Sequence, residues 1–298
     1  MTVSVYIPVA LSVLVAAISW LMAARLSPTR GTVITVVGAA VLCAAGTTWA
    51  LVLLALSLLG FTTLAVEEAT ERGVVLVQPV PGVVGVLAAV ALTYGVVRVV
   101  RVARARWATR RELRKLCLSC APGELAVVPV AEPHAFAVPG RPGRVLVTQG
   151  LLALLDGKER RVVLAHERAH LAGRHHGLRA TVEVCAAINP MLVPVREAVA
   201  FLVERSADEH AATVSGSREV TARALAKAAL AEASGPRHAA LGFIACAVSA
   251  RVAALHAAPP RPDRLLPGGF LLLGAGATVA AVQATLAFYR LVHWLWLG

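Results

Sequence analysis

Residues 80–115 read VPGVVGVLAAVALTYGVVRVVRVARARWATRRELRK, an apolar run from Val80 to Val97 that gives way to Arg98, Arg101, Arg104, Arg106, Arg110, Arg111, Arg114 and Lys115. A helix of about 20 apolar residues crosses the roughly 30 Å hydrocarbon layer of a bilayer. Lys and Arg gather on the cytoplasmic side of such spans, so this junction marks an exit into the cytoplasm. The rest of the chain agrees. Of its 298 residues 58% are hydrophobic and 15% charged, where soluble domains carry roughly a quarter charged, and the mean hydropathy is +0.72. This composition excludes an ordinary soluble domain, a disordered chain and a collagen-like repeat. Five cysteines without a repeated pattern exclude a disulfide-stapled secreted scaffold.

Three further stretches are long enough to span: Val3 to Ala24, Thr32 to Phe61 and Phe270 to about Trp296. The first lacks a charged n-region and is longer than a signal peptide's apolar core, so it is expected to be a retained anchor. Arg25 and Arg30 fill the first loop, whereas the second holds Glu67, Glu68 and Glu71 with Arg72 alone, and Arg261 and Arg264 precede the last span. These signs place both termini outside and everything between the third and fourth spans in the cytoplasm. The expected organisation is three transmembrane helices in 1–100, a cytosolic domain in 101–267 and a fourth transmembrane helix in 268–298. Lys+Arg 29 against Asp+Glu 17 reflects attraction to anionic lipid, about 1 kcal/mol per residue near the surface. No aromatic interleaving or nucleic-acid module accompanies the charge, so the partner is the lipid bilayer and no direct nucleic-acid contact is expected.

The cytosolic segment opens with short strands rich in Val, Leu and Phe: Leu125 to Val130, His134 to Val138 and Arg144 to Thr148. Pro139-Gly140-Arg141-Pro142-Gly143 makes the last two a hairpin. Beyond Gly150 the pattern is helical. Asp156 and Glu159 form a capping box for a helix reaching His170. A second helix covers about Leu178 to Ile188, Asn189-Pro190 breaks it, and a third carries Glu204 and Asp208 before ending near Gly216. Arg218 to Ala233 and Ala239 to Ala257 follow, with Gly235-Pro236 between them. Glu183, Asn189, Pro190, Pro194, Arg196 and Glu197 interrupt the apolar stretch Leu178 to Val203 and argue against a fifth span.

The chemistry lies in His166-Glu167-Arg168-Ala169-His170. On a helix the two His face the same way one turn apart and can share one tetrahedral Zn²⁺, while the offset Glu167 reaches water at the metal as a general base. Glu204-Arg205-Ser206-Ala207-Asp208 on a later helix offers a third ligand, Glu204, and one turn on a carboxylate, Asp208, that fixes a ligand histidine's tautomer. A rival third ligand is His176, since His166, Glu167, His170, Gly173 and His176 also satisfy the metzincin spacing. That alternative leaves the Glu204/Asp208 helix without a role and has only Met191 for a Met-turn. With Glu204 as ligand, His175 and His176 are expected at a helix C-terminus. Arg205 and His210 are oxyanion candidates by nearness in sequence, and Cys117-Leu118-Ser119-Cys120 has no second pair to complete a site.

These motifs, with Ala135-Phe136-Ala137-Val138 and Val145-Leu146-Val147-Thr148-Gln149-Gly150-Leu151-Leu152, resemble the integral-membrane gluzincins. That group includes HtpX-like and CAAX prenyl protease-like peptidases and the BlaR/MecR-type antirepressor peptidases. The resemblance implies an α-helical multipass membrane protein of about four spans with a cytosolic α+β zincin-like metalloprotease domain. It implies that His166, His170 and Glu204 bind one Zn²⁺ per chain, that Glu167 is the base and that Asp208 supports a ligand. BlaR/MecR-type receptors carry an extracellular sensor domain after the last span, where this sequence stops at Gly298, so a homologous antibiotic sensor is not expected. The expected function is zinc-dependent endoproteolysis of a protein substrate, a cytoplasmic transcriptional repressor. Quality control of membrane proteins and a non-catalytic zinc-stabilised adaptor are the alternatives. Lys158, Glu159, Arg160 and Arg161 before the motif weigh against intramembrane proteolysis, and an edge strand at Ala135 to Val138 could pair with an extended substrate.

Overall fold

Apolar sequence and helix signals together set the frame. Helix α1 (Ile7–Met22) has Pro8 in its first turn, and α2 (Arg30–Leu56) is capped by Thr29, whose hydroxyl accepts the Thr32 N–H at 3.2 Å. Helix α3 (Gly82–Leu118) runs unbroken through the basic segment, projecting roughly 30 Å past Val97 at 1.5 Å per residue. The computed structural model describes residues 5–58, 81–118, 123–233, 241–261 and 265–297. Val3, Phe61, the acidic loop Glu67 to Glu71, Ser119, Cys120, Gly235-Pro236 and Arg264 lie outside them.

Three helical segments among these residues are long and apolar enough to cross a membrane: Arg30–Leu56, Gly82–Lys115 and Pro267–Arg290. The expected first span is shorter. Its 16 helical residues cover about 24 Å, because the chain turns after Met22 and the carbonyls of Ala24 and Leu26 accept hydrogen bonds from Arg205, both at 3.1 Å.

Strands β1 (Leu125–Val128), β2 (Ala135–Val138) and β3 (Arg144–Thr148) form one sheet in the order β1-β3-β2. β1 is parallel to β3, and β2 is the antiparallel edge, with Phe136 opposite Leu146. The first strand stops before the expected Val130, whose N–H folds back onto the Val128 carbonyl at 2.8 Å. Val145 and Val147 point into a cluster with Leu151 and Leu155. Thr148 caps the short α4 (Gln149–Leu154), and Asp156 opens α5 (Gly157–Ala172) with the reciprocal capping box to Glu159.

Next comes α6 (His175–Ile188), a short 3-10 turn at Pro190–Leu192 and α7 (Val193–Ser215). His175 and His176 therefore begin a helix, not end one. Arg174 adopts φ 51°, which separates α5 from α6, and α6 starts three residues before the expected Leu178. α7 ends at Gly216, φ 70°, a left-handed conformation that glycine takes without Cβ strain. Helices α8 (Arg218–Ala233), α9 (Leu241–His256) and α10 (Leu265–Leu297) complete the chain.

The stretch Leu178 to Val203 is a helical hairpin packed among the apolar helices. Val182, Cys185, Leu192, Val195, Val199 and Leu202 share one core with Val15, Val33, Val36, Cys43, Phe270 and Ala277. Its tip is polar but satisfied: Asn189 Nδ2 donates to Ser12 Oγ at 3.0 Å and Thr47 Oγ1 at 3.3 Å, and Ser12 Oγ donates to the Pro8 carbonyl at 2.8 Å.

Candidate metal centre

Two helices build the site. α5 places His166 and His170 one turn apart, and α7, packed across α5, brings Glu204 to them. His166 Nε2 lies 3.0 Å from His170 Nε2 and 3.6 Å from Glu204 Oε2, and His170 Nε2 is 3.7 Å from Glu204 Oε1. These three are the His/Cys/Asp/Glu group, among the described residues, whose ligand atoms all fall within 4.8 Å of one another. Ligands at 2.0–2.1 Å around a tetrahedral zinc stand roughly 3.3 Å apart, so the edges of this triangle fit that ion.

The outer nitrogens are engaged behind the inner ones. His166 Nδ1 stands 3.0 Å from Asp208 Oδ1, and His170 Nδ1 stands 3.0 Å from His175 Nδ1. Both Nε2 atoms therefore face one another and the Glu204 carboxylate, an arrangement that one shared cation would satisfy. His176 is elsewhere, in a separate cavity with Arg110, Arg114 and Arg141. Glu167 sits beside His166 on α5 and is partly buried.

A second tier of charge surrounds Glu204. Arg251 of α9 grips Asp208 through two 2.8 Å hydrogen bonds, from Nε and Nη2, and its Nη1 lies 3.2 Å from Glu204 Oε2. Arg179 of α6 reaches Glu204 Oε1 at 3.3 Å. Burial alone would raise the Glu204 carboxyl, but the His166 hydrogen bond and the Arg251 charge hold it well below the usual carboxylate range. Asp208 behaves alike: burial opposes ionisation, and hydrogen bonds from Arg251 and His166 overcome it. Burial lowers His170 to about 3 and His175 to about 4, leaving both rings neutral and able to offer a lone pair. Burial also disfavours charge on His166, but the Asp208 and Glu204 carboxylates push it up to about 10, the pull that a bound cation would take over.

Several sequence expectations are relocated. Arg205 points away from the metal triangle, to the α1–α2 turn. His210 is exposed. The buried Glu159 pairs with Arg223 and Lys227, and Asp208 pairs with Arg251 as well as His166. Three residues of the site, His175, Arg179 and Arg251, escaped the sequence reading. His175 was legible only as part of a His-His pair, and Arg251 stands far along the chain in an apolar stretch that marks no partner.

A protein-family model described as Peptidase family M48 matches residues 104–266, more than half of the chain and every strand and helix that shapes this site. Over 53 residues the chain is 45% identical to a Protease HtpX homolog of Aquifex aeolicus (strain VF5), covering 17% of this chain and 18% of that protein. The chain thus matches less than a fifth of that relative's length. No solved structure gives a significant match.

Proposed function

Because the chain belongs to peptidase family M48, we propose that this membrane metallopeptidase is a zinc endopeptidase whose ligands are His166, His170 and Glu204. The observation that carries the reading is the convergence of the two Nε2 atoms and the Glu204 carboxylate, with both Nδ1 atoms engaged behind them. Zinc held there supplies Lewis acidity that polarises a carbonyl and makes water acidic. The chain's own residues do the remaining work. The Glu167 carboxylate takes a proton from the attacking water and returns it to the amide nitrogen as the peptide bond breaks. Asp208 keeps the proton of His166 on Nδ1, and Arg251 keeps Asp208 ionised and aimed. The free edge of β2, which packs against α5, offers main-chain groups for an extended substrate.

The catalytic segment, 101–267, is assigned to the cytoplasm on the basic run that follows the third span, with four spans and both termini outside. Its substrate is assigned as a cytoplasmic repressor, on the resemblance of the span arrangement to the signalling peptidases. The test compares newly formed protein N-termini in cells expressing wild type or Glu167→Gln, with zinc measured on both purified proteins. One zinc per chain in each, with one or two wild-type-only cleavages in a DNA-binding repressor, supports the whole reading. Many cleavages in membrane proteins would replace the repressor by quality control. Zinc without any wild-type-only cleavage under several stresses would leave an adaptor.

A further inference from the structure

Arg110 and Arg114 of α3, Arg141 of the β2–β3 turn and His176 of α6 line an open cavity of about 400 Å³, with Val138 and Pro139 at its wall. Among the described residues no acidic side chain lines it, and none of the three arginines makes an ion pair. Their neighbours are already spent: Arg106 pairs with Glu183, and Lys115 with Glu112. Burial, and then the charges of Arg110, Arg106 and Arg174, disfavour protonation of His176, so the ring adds no charge of its own to the three guanidiniums. The three guanidiniums are exposed, so water screens their mutual repulsion, but an anion that enters the hollow meets all three at once and the concave wall focuses their field on it.

Its position says which anion. The cavity begins where the edge strand β2 ends, at Val138 and Pro139. On its other side His176 follows His175, whose ring stands 3.0 Å from His170, and Leu171, one residue beyond His170, packs against Gly143 of the same turn. An extended peptide paired with β2 and passing the metal triangle would leave the sheet over this hollow. A bilayer phosphate fits less well. Arg110 lies twelve residues past Arg98, about 18 Å along the helix, whereas the headgroup layer reaches about 5–8 Å beyond the hydrocarbon.

We propose that this cavity is a substrate subsite that takes an acidic side chain of the peptide, held by Arg110, Arg114 and Arg141, to one side of the bond that is cut. The proposal rests on the peptidase reading for the metal triangle and on β2 as the strand that receives substrate. Arginine forks match a carboxylate in bidentate fashion, so the subsite selects Glu or Asp over their amides and discriminates more weakly at high salt.

The experiment uses the full-length zinc-loaded protein in nanodiscs of phosphatidylcholine. A set of fluorescent decapeptides with Gln at every variable position is compared with sets carrying one Glu at each position in turn. Cleavage is read in the wild type, and binding by anisotropy in Glu167→Gln, so that recognition is measured whether or not cleavage occurs. The expected result is one register at which Glu improves kcat/KM and binding about tenfold or more over Gln, mostly through KM. In Arg110→Gln/Arg141→Gln the Glu-to-Gln ratio falls to about one. Equal binding of Glu and Gln peptides at all positions would overturn the subsite, even if cleavage itself proceeds. Selective binding without cleavage would keep the subsite and remove the peptidase reading. A preference abolished by replacing the lipid with phosphatidylglycerol at constant ionic strength would overturn the proposal and give the cavity to lipid phosphate.

Discussion

Arg251 holds two carboxylates at once, Asp208 in bidentate fashion and Glu204 at 3.2 Å, from a helix far along the chain from the metal triangle. Groups that orient metal ligands cost about 10–100-fold in metal affinity or activity when removed. Arg251→Gln and Asp208→Asn are each expected to weaken zinc retention within that range, measured by chelator competition. The double variant should lose little more than either alone, because the two side chains act as one unit. A separate residue-scale device is Glu159, buried at the start of α5 and facing Asp156, Arg223 and Lys227. Burial by itself raises its carboxyl, but hydrogen bonds from Lys227, the Asp156 N–H and Arg223 bring it down to about 2. A folded value below the ordinary one of about 4.3 stabilises the protein above pH 4.3, and the contribution is lost as pH falls toward 2. The melting temperature of wild type should therefore exceed that of Glu159→Gln at pH 6, with the gap closing through this window. A constant gap would mean that the carboxylate's charge does not matter.

At the scale of elements, the hairpin of α6 and α7 depends on its tip. Asn189 donates to Ser12 and Thr47, and its Oδ1 accepts the Met191 N–H at 3.1 Å, opening the 3-10 turn. Asn189→Leu keeps the volume and removes these bonds, leaving buried polar groups short of partners at a cost of about 1–3 kcal/mol. It should lower the thermal midpoint in detergent, and Ser12→Ala should add less on top of it than it costs alone. Element bounds were largely legible in the sequence, because their causes are local: the Asp156/Glu159 box, the Asn189-Pro190 break and Gly216 each act within a few residues. The hairpin's destination was not legible. Its polar and proline residues argue against a further span, yet only the packing of Val182, Leu192 and Val199 against Val33 and Val36 shows where it goes. The same holds for the site. The metal triangle could be anticipated from helical spacing and ligand chemistry, whereas Arg251 and the α1–α2 turn meet α7 through contacts that no sequence period encodes.

For the whole molecule, the consequence is that catalytic segment and apolar bundle share a core. Arg205, next to Glu204, is largely buried and donates to the Ala24 and Leu26 carbonyls between the first two helices, so the helix that carries Glu204 is tied to the bundle one residue from the proposed metal triangle. Residues 101–267 can be cut out on paper as the peptidase unit, but Val182, Cys185, Leu192, Val195, Val199 and Leu202 would then lose the α1, α2 and α10 side chains that cover them. A continuous apolar face of that kind is characteristic of an interface or an aggregating surface, not of a soluble monomer. Expressed alone, 101–267 should aggregate and fail to bind stoichiometric zinc, while the full chain in detergent binds one. The measurement is size-exclusion chromatography with metal analysis on both. A monomeric, zinc-loaded fragment would show that the bundle merely anchors the enzyme; the expected failure would make the apolar helices part of the structure that holds Glu204 in place.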